Sequence, residues 1–298
     1  MNMDTIDRVA EALAKRSLDY SMINYPDKRE KSIDLIAISR NNNRIIVKIA
    51  KSRKNTKIKQ DLQNVAKVGI GIPIMIDENV EQEVINDKGN VFEMNVATFE
   101  KMLDGEKIFL YKTRGGIFVK INSKELKKRR EEMGLSLGEV AQALGVSRIS
   151  IYEYEREDSY VSIDIAEKLV EIFGEEILGN IFDGFKATGI TDEDEHLYNS
   201  KSSNKIATKL SEKGFKIVNM SFTAVDIIAL KGEKKIFFSI ETQNSSESLI
   251  KFNEARKISE KTGSELIVVT KENKNKKLYE KEGFNTLLEN EIMNHEFD

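Results

Sequence analysis

The chain has no cysteine and only two histidines among its 298 residues. The missing thiols exclude disulfides, thiolate metal sites and cysteine nucleophiles, and they fit a reducing cytosol. His196 and His295 each stand alone, so no histidine cluster is available to hold a metal ion. No Gly-Lys-Ser or Gly-Lys-Thr follows Gly69 and Gly71, which excludes a phosphate-binding loop of that type. The sequence therefore predicts no cofactor and no metal site.

Long apolar runs are also missing. The N-terminal stretch reads as an amphipathic, charged helix without the apolar core of a signal peptide or a transmembrane span. We therefore expect a soluble, cytoplasmic protein with no membrane partner. With 40% hydrophobic residues, the chain has enough apolar material to build more than one domain.

Positive charge is not in excess, because the formal net charge is −3. Any affinity for nucleic acid must then come from local patches. Two basic patches are visible, although charge runs are most often solvated surface. The first comprises Lys127, Lys128, Arg129 and Arg130, and the second comprises Arg44, Lys48, Lys51, Arg53, Lys54, Lys57 and Lys59.

What the chain does contain is a helix-turn-helix pattern near its middle, SLGEVAQALGVSRISIYEYE. Ser136 and Glu139 form a capping box and predict a helix that starts at Leu137. Gly145 ends this helix where a positive backbone angle is favoured, and Ser147 caps the next helix. Such a three-residue turn is typical of DNA-reading helix-turn-helix proteins. The alternative interpretation is an ordinary helical hairpin in a bundle.

The second helix is predicted to have one buried and one outward face. Ile151 and Tyr154 pack inward, and in the preceding charged helix Leu126 and Met133 do the same. Five outward residues are candidate base readers, namely Arg148, Ile149, Ser150, Tyr152 and Glu153. Candidate phosphate contacts are Lys127, Lys128, Arg129, Arg130, Ser136, Ser147 and Arg156. The segment resembles the Cro and repressor type of helix-turn-helix domain, known as the XRE family.

The segments on either side of this module look alike. Each offers a helix, a strand, a β-hairpin that begins at an aspartate, then a second helix and a buried strand. The two aspartates are Asp34 and Asp226, and the pattern indicates an internal duplication. This order of elements resembles the core of the restriction-endonuclease-like fold, whose members include archaeal Holliday junction resolvases.

Active members of that fold family carry Asp, then Glu or Asp, one further residue, and Lys. The resemblance implies that the carboxylates hold a divalent metal and that the lysine positions or activates water. In the first segment Asp34 and Lys48 match the outer positions, but Ile46 stands where the second acid is required. A hydrophobic residue there removes a charge that the metal needs.

The second segment departs from the pattern as well. Asp226 aligns, but the other two positions fall near Phe237 and Ser239, with Glu241 two residues further along the strand. Catalysis is therefore not expected, and both scaffolds are predicted to be degenerate. Accessory DNA contacts are predicted at Lys48, Lys51, Arg53, Lys54 and Lys57.

The remaining segments connect these parts. Strands are predicted near Val91–Asn95, Lys107–Lys112 and Ile117–Ile121, and residues 183–203 are the best linker candidate. The predicted division is a degenerate endonuclease-like α/β domain with a C-terminal hairpin (1–121), a helix-turn-helix domain (122–182), the linker (183–203) and a second endonuclease-like α/β domain (204–298). This is an α+β multidomain fold, with an all-α Cro-type module between two α/β restriction-endonuclease-like domains.

The whole arrangement resembles the archaeal HTH-type transcriptional regulatory proteins. The RGGIFVKI hairpin, the string LKKRREEMGLSLGEVAQALGVSR and the two aspartate-led hairpins carry the resemblance. We expect a sequence-specific regulator that binds double-stranded DNA in the major groove. A homodimer is expected because one module contacts too few bases for useful specificity. The alternatives are a metal-dependent, structure-selective DNA nuclease, and a scaffold whose helix-turn-helix binds a protein partner.

Overall fold

The computed structural model describes residues 4–27, 30–51, 55–156, 159–183 and 201–297. The chain divides into two compact units, Met75–Phe185 and Asp4–Ile74 together with Lys186–Asp298. Residues 75–121, which the sequence analysis joined to the first endonuclease-like segment, thus share a unit with the helix-turn-helix module. Of the predicted linker 183–203, residues 184–200 lie outside the described residues, and residues 201–203 belong to a helix.

The helices and strands are numbered in chain order. The helices are α1 (Thr5–Lys15), α2 (Thr56–Val68), α3 (Val96–Asp104), α4 (Ser123–Glu132), α5 (Leu137–Leu144), α6 (Arg148–Arg156), α7 (Ile163–Phe173), α8 (Lys201–Glu212), α9 (Ser245–Thr262) and α10 (Asn273–Lys281). The strands are β1 (Tyr20–Met22), β2 (Leu35–Ile38), β3 (Arg44–Ile49), β4 (Ile72–Ile76), β5 (Val84–Asp87), β6 (Phe92–Met94), β7 (Leu110–Thr113), β8 (Gly116–Lys120), β9 (Tyr160–Ser162), β10 (Lys216–Asn219), β11 (Ile227–Lys231), β12 (Lys234–Ile240), β13 (Glu265–Thr270) and β14 (Thr286–Leu288).

The unit that joins the two ends of the chain contains the same fold twice. Its first half has the order α1, β1, β2, β3, α2, β4, and its second half repeats it as α8, β10, β11, β12, α9, β13. In each half the first three strands form an antiparallel meander. The central strands are apolar and buried on both faces, as expected for strands covered by helices. The second half adds α10 and a parallel edge strand, β14.

The two halves of this unit contact each other through equivalent residues. On α2, the Asp61 carboxylate accepts hydrogen bonds from the backbone nitrogens of Ser221 (2.8 Å) and Phe222 (2.9 Å), just after β10. On α9, the Glu254 carboxylate accepts one from the backbone nitrogen of Asn24 (2.7 Å), just after β1. A carboxylate on the second helix of each half therefore binds the loop after the first strand of the other half.

Two further pairs of contacts are reciprocal in the same way. In the first pair, Asn64 Nδ2 donates a hydrogen bond to Asn219 O (3.0 Å), and Lys257 Nζ donates one to Met22 O (3.4 Å). In the second pair, Arg44 Nε donates to Lys261 O (3.1 Å), and Lys235 Nζ donates to Gly69 O (2.8 Å). A surface whose residues meet their own equivalents is the mark of an isologous, two-fold interface. Here both copies of that surface belong to one chain, so the halves form an internal pseudo-dimer.

The other unit combines a mixed sheet with the helical module. Its strand order is β6-β5-β7-β8-β9, with β5 and β7 parallel. β9 directly follows α6 and pairs with β8, so Val119 and Val161 join the apolar core of the helices. Helix α3 and strands β5 and β9 were not predicted. Met133 was wrongly predicted to point inward: α4 ends at Glu132, and Met133 is 53% exposed at its C-cap.

Within the described part of the chain, no helix has the length and apolar character that crossing a membrane requires.

Candidate nucleic-acid interface

The turn between α5 and α6 has the predicted caps. Ser136 Oγ accepts a hydrogen bond from the backbone nitrogen of Glu139 (3.2 Å), and the Glu139 carboxylate accepts one from the backbone nitrogen of Ser136 (2.8 Å). The hydrogen bonds with Ser136 lower the pKa of Glu139. Gly145 takes a left-handed conformation with φ of 71°. Ser147 Oγ then accepts the backbone nitrogen of Ser150 at the start of α6 (3.0 Å). Each of these devices is local in sequence, which is why the sequence could predict it.

Helix α6, hereafter the reading helix, has two distinct faces. Ile151 is fully buried, and Tyr154 is partly buried and packs against the core of the module, as predicted. The five candidate base readers lie on the other side: Ser150 is partly exposed, and Arg148, Ile149, Tyr152 and Glu153 are exposed. The core fixes one face of the helix and leaves the other available for a ligand.

A bidentate ion pair joins α4 to the end of the reading helix. Arg130 donates from Nε to Glu155 Oε1 (2.5 Å) and from Nη2 to Glu155 Oε2 (2.8 Å), and its Nη1 donates to Leu135 O (2.8 Å). The two side chains are only 12% and 7% exposed. The hydrogen bonds that Arg130 donates to the Glu155 carboxylate raise the pKa of Arg130. The prediction that Arg130 contacts phosphate is therefore wrong, because its donors are used inside the module.

The other members of the first basic patch remain at the surface to different degrees. Arg129 is one-third exposed and donates to Glu125 and to Phe173 O. Lys127 and Lys128 are well exposed and make only loose pairs, of 3.5 to 4.0 Å, with acids on the same helix. Such exposed pairs contribute little to stability.

The described members of the second basic patch do not all lie at the surface. Lys48 is buried, with its Nζ 2.8 Å from Asp34 Oδ2, so its predicted role as an accessory DNA contact is wrong. Lys51 and Lys57 are exposed. Arg53 and Lys54, which the same prediction named, lie outside the described residues.

The aspartates Asp34 and Asp226 occupy equivalent corners in the two halves. Asp34 Oδ2 accepts the backbone nitrogen of Ile49 (2.7 Å) as well as Lys48 Nζ. Asp226 Oδ2 accepts the equivalent nitrogen of Ile240 (2.7 Å) and the Nζ of Lys251 (2.6 Å). The lysine of the second corner comes from α9 and not from the strand. The sequence pattern does not reveal Lys251, because the family's lysine lies on the strand and Lys251 lies on a helix.

The second corner opens into a cavity of about 470 Å³, whose lining includes Asp226, Glu241 and Lys251. Three side chains hold the Glu241 carboxylate, namely Thr270 through Oγ1, Asn275 through Nδ2 (2.7 Å) and Tyr279 through its hydroxyl (2.6 Å). Burial, together with Glu241, raises the pKa of Tyr279 to about 12. The cavity therefore presents two fixed carboxylates beside a lysine.

The two corners differ in how well they fit a divalent metal. In the first, the apolar side chain of Ile46 is fully buried at the position of the second ligand, and Lys48 Nζ donates a hydrogen bond to the Asp34 carboxylate. These residues therefore do not fit a metal ion. In the second, the carboxylate side chains of Asp226, Glu241, Glu272 and Glu289 line one cavity. Among the described residues, no group of three or more histidine, aspartate or glutamate side chains is arranged to hold a metal ion.

Comparison with known families agrees with this architecture. A helix-turn-helix family model matches residues 126–179, and a PD-(D/E)XK superfamily domain model matches residues 2–108. The protein thus combines a helix-turn-helix domain with a domain of nuclease-like fold, and the predicted α+β multidomain class is confirmed. No solved structure matches the chain.

Relatives match over nearly their full length. One from Sulfurisphaera tokodaii is 67% identical over 99% of this chain and 100% of its own. Others from Sulfolobus acidocaldarius (46% identical, 97% of each chain) and Saccharolobus islandicus (36%, covering 98% of this chain and 95% of the relative) are also similar. All three carry the name "Putative HTH-type transcriptional regulatory protein". The chain belongs to this family of HTH-type transcriptional regulatory proteins.

Proposed function

We propose that the protein is a sequence-specific DNA-binding transcriptional regulator whose reading helix enters the major groove. The observation that carries the proposal is the division of this helix into two faces. Ile151, Tyr154 and the Arg130–Glu155 ion pair fix its orientation, while the candidate base readers stand clear of the core. A helix with one face locked and the other exposed suits insertion into a groove.

The outward side chains have distinct proposed roles. Arg148, near the N-terminus of the reading helix, is placed to make a bidentate contact with guanine, the commonest specific contact in the major groove. Glu153 is proposed to accept from cytosine N4, and Ser150 to make a secondary base contact. Lys127, Lys128 and Arg156 are proposed to bind phosphates, together with the helix starts at Ser136 and Ser147.

We further propose that the regulator acts as a homodimer on paired half-sites. One module of this size contacts too few bases for high specificity. Within one chain, α2 and α9 already bind the loops after β10 and β1 of the opposite half, through Asp61 and Glu254. A dimer of chains therefore uses a different surface.

The proposal is tested by separating base contacts from phosphate contacts. A binding site is first selected from random duplex DNA, and affinity is then measured for single base changes with Arg148→Ala and Lys127→Ala. Arg148→Ala should cost about 1–3 kcal/mol of binding free energy and abolish the base preference at one position. Lys127→Ala should instead weaken binding to all sequences alike and reduce the salt dependence of the affinity. A uniform loss with Arg148→Ala, or failure to select any site, would contradict base reading.

A second function is favoured by one observation, the cavity shared by Asp226, Glu241 and Lys251. The fold family implies a metal-dependent nuclease, in which the two carboxylates would hold the ion. A bound divalent cation would polarise phosphate and generate a nucleophilic water. In this chain Lys251 would orient Asp226, to which its ammonium already donates.

This second function is tested by incubating the full chain with duplex and branched DNA in Mg²⁺ or Mn²⁺. Cleavage that disappears with Asp226→Ala and with Glu241→Gln, but persists with Asp34→Ala, would assign nuclease activity to the second corner. Intact DNA under all conditions would rule it out, and cleavage that survives Asp226→Ala would point to contamination.

A further inference from the structure

The reading helix exposes an apolar strip in the middle of its outward face. Ile149 is 68% exposed and Tyr152 is 53% exposed. They are three residues apart, so they lie next to each other on the helix surface. The neighbouring positions Ile151 and Tyr154 face the core, so packing of the module does not account for this strip.

The charges around the strip are nearly balanced. Arg148 and Arg156 flank it, and Glu153 lies one turn from Ile149 on the same side. Glu155 is already paired with Arg130 and contributes little to the outward face. With so little net positive charge on the reading helix, affinity in the groove must come in part from contacts other than charge attraction.

We propose that Ile149 reads thymine by packing against its C5-methyl group, with Tyr152 closing the same contact against water. The thymine methyl is the apolar group that base pairs present in the major groove, and isolated apolar side chains pair with it. The half-site therefore contains at least one thymine opposite Ile149, next to the base pair contacted by Arg148. This inference rests on the proposed insertion of the reading helix into the major groove.

The test removes the methyl group and nothing else. In the selected site each thymine is replaced in turn by uracil, which keeps every hydrogen-bonding group. For the wild-type chain, one or two positions should lose affinity by about fourfold, the factor expected when one methyl group is no longer buried. With Ile149→Ala the chain should bind thymine and uracil equally at one of those positions.

The chain offers a matched control in Ile250, an isoleucine on α9 that is 55% exposed. Ile250→Ala should leave the uracil profile of the wild-type chain unchanged. The inference is overturned if uracil is tolerated at every position, or if every position sensitive to uracil remains so with Ile149→Ala. Failure to select any site would instead contradict the proposed function, so the two failures are distinguishable.

Discussion

Arg130 illustrates how one side chain in a charged run can serve the interior of a domain. Its neighbours Lys127 and Lys128 are exposed, whereas its guanidinium meets Glu155 through two parallel hydrogen bonds. Since the planar guanidinium matches a carboxylate, arginine suits this position better than lysine would. The pair ties α4 to the last turn of the reading helix and so limits how that helix can tilt.

Arg130→Met should lower the free energy of unfolding by about 3 kcal/mol, because it leaves the Glu155 carboxylate buried without its partner. The double variant Arg130→Met/Glu155→Leu should recover most of that loss. Lys127→Met, at an exposed site on the same helix, should change stability by less than about 0.5 kcal/mol. Urea unfolding followed by circular dichroism measures all three. Equal losses in Arg130→Met and Lys127→Met would show that the ion pair has no special role.

Single residues also mark the limit of prediction from sequence. The caps at Ser136 and Ser147 depend on atoms within three residues, and the sequence predicted them correctly. The burial of Lys48 depends on a partner 14 positions away, across a hairpin. A lysine among other lysines looks solvated unless that pairing is known. The same reasoning applies to Arg130, whose partner lies 25 positions away.

The elements of the helical module follow from local chemistry. Gly145 ends α5 with φ of 71°, a conformation that other residues adopt only at a cost, while Gly138 lies inside α5 with ordinary backbone angles. A Cβ added at Gly138 would approach only Ser136 Oγ, at 3.8 Å. The two glycines of one short helix are therefore expected to respond in opposite ways to the same substitution.

Gly145→Ala should lower the free energy of unfolding by about 1 kcal/mol, because alanine is strained in the left-handed region. Gly138→Ala should raise it by about 0.5 kcal/mol, because it restricts the unfolded chain without strain in the helix. Thermal unfolding of both variants under one set of conditions compares them directly. A stabilising effect of Gly145→Ala would mean that the turn relaxes to a different geometry.

Other elements depend on tertiary pairing and were missed. β9 is three residues long and becomes a strand because Val161 pairs with Val119 of β8 and joins the core. A segment of three residues is too short for its alternation of apolar and polar side chains to predict a strand. Lys251 belongs to a helix that faces Asp226 across 25 positions, so no spacing rule along β12 points to it.

At the scale of the whole molecule, a buried carboxylate lies where the two nuclease-like halves meet. Asp61 accepts hydrogen bonds from Ser32, Ser221 and Phe222, yet burial dominates and raises its pKa to about 6 from an ordinary 3.8. The folded chain thus holds this proton more tightly than the unfolded chain. The stability that this proton contributes is greatest below the ordinary pKa and is lost as the pH rises through the raised pKa of about 6.

The free energy of unfolding should therefore fall by up to about 3 kcal/mol between about pH 3 and about pH 7 on account of Asp61, and level off above that range. Asp61→Asn should remove this fall, whereas Asp7→Asn, at an exposed position on α1, should leave it in place. Urea unfolding at intervals of half a pH unit gives the profiles. A constant difference between wild-type and Asp61→Asn across this range would contradict the assignment.

The pseudo-dimer has a consequence for how its two corners change over time. In a homodimer each substitution is present in both subunits, so paired sites are forced to vary together. When both halves lie in one chain, a substitution in one half leaves the equivalent residue of the other half unchanged. Ile46 closes the first corner to metal chemistry without any effect on Glu241 in the second. One corner thus lacks the second acid, while its twin keeps an open cavity lined by carboxylates.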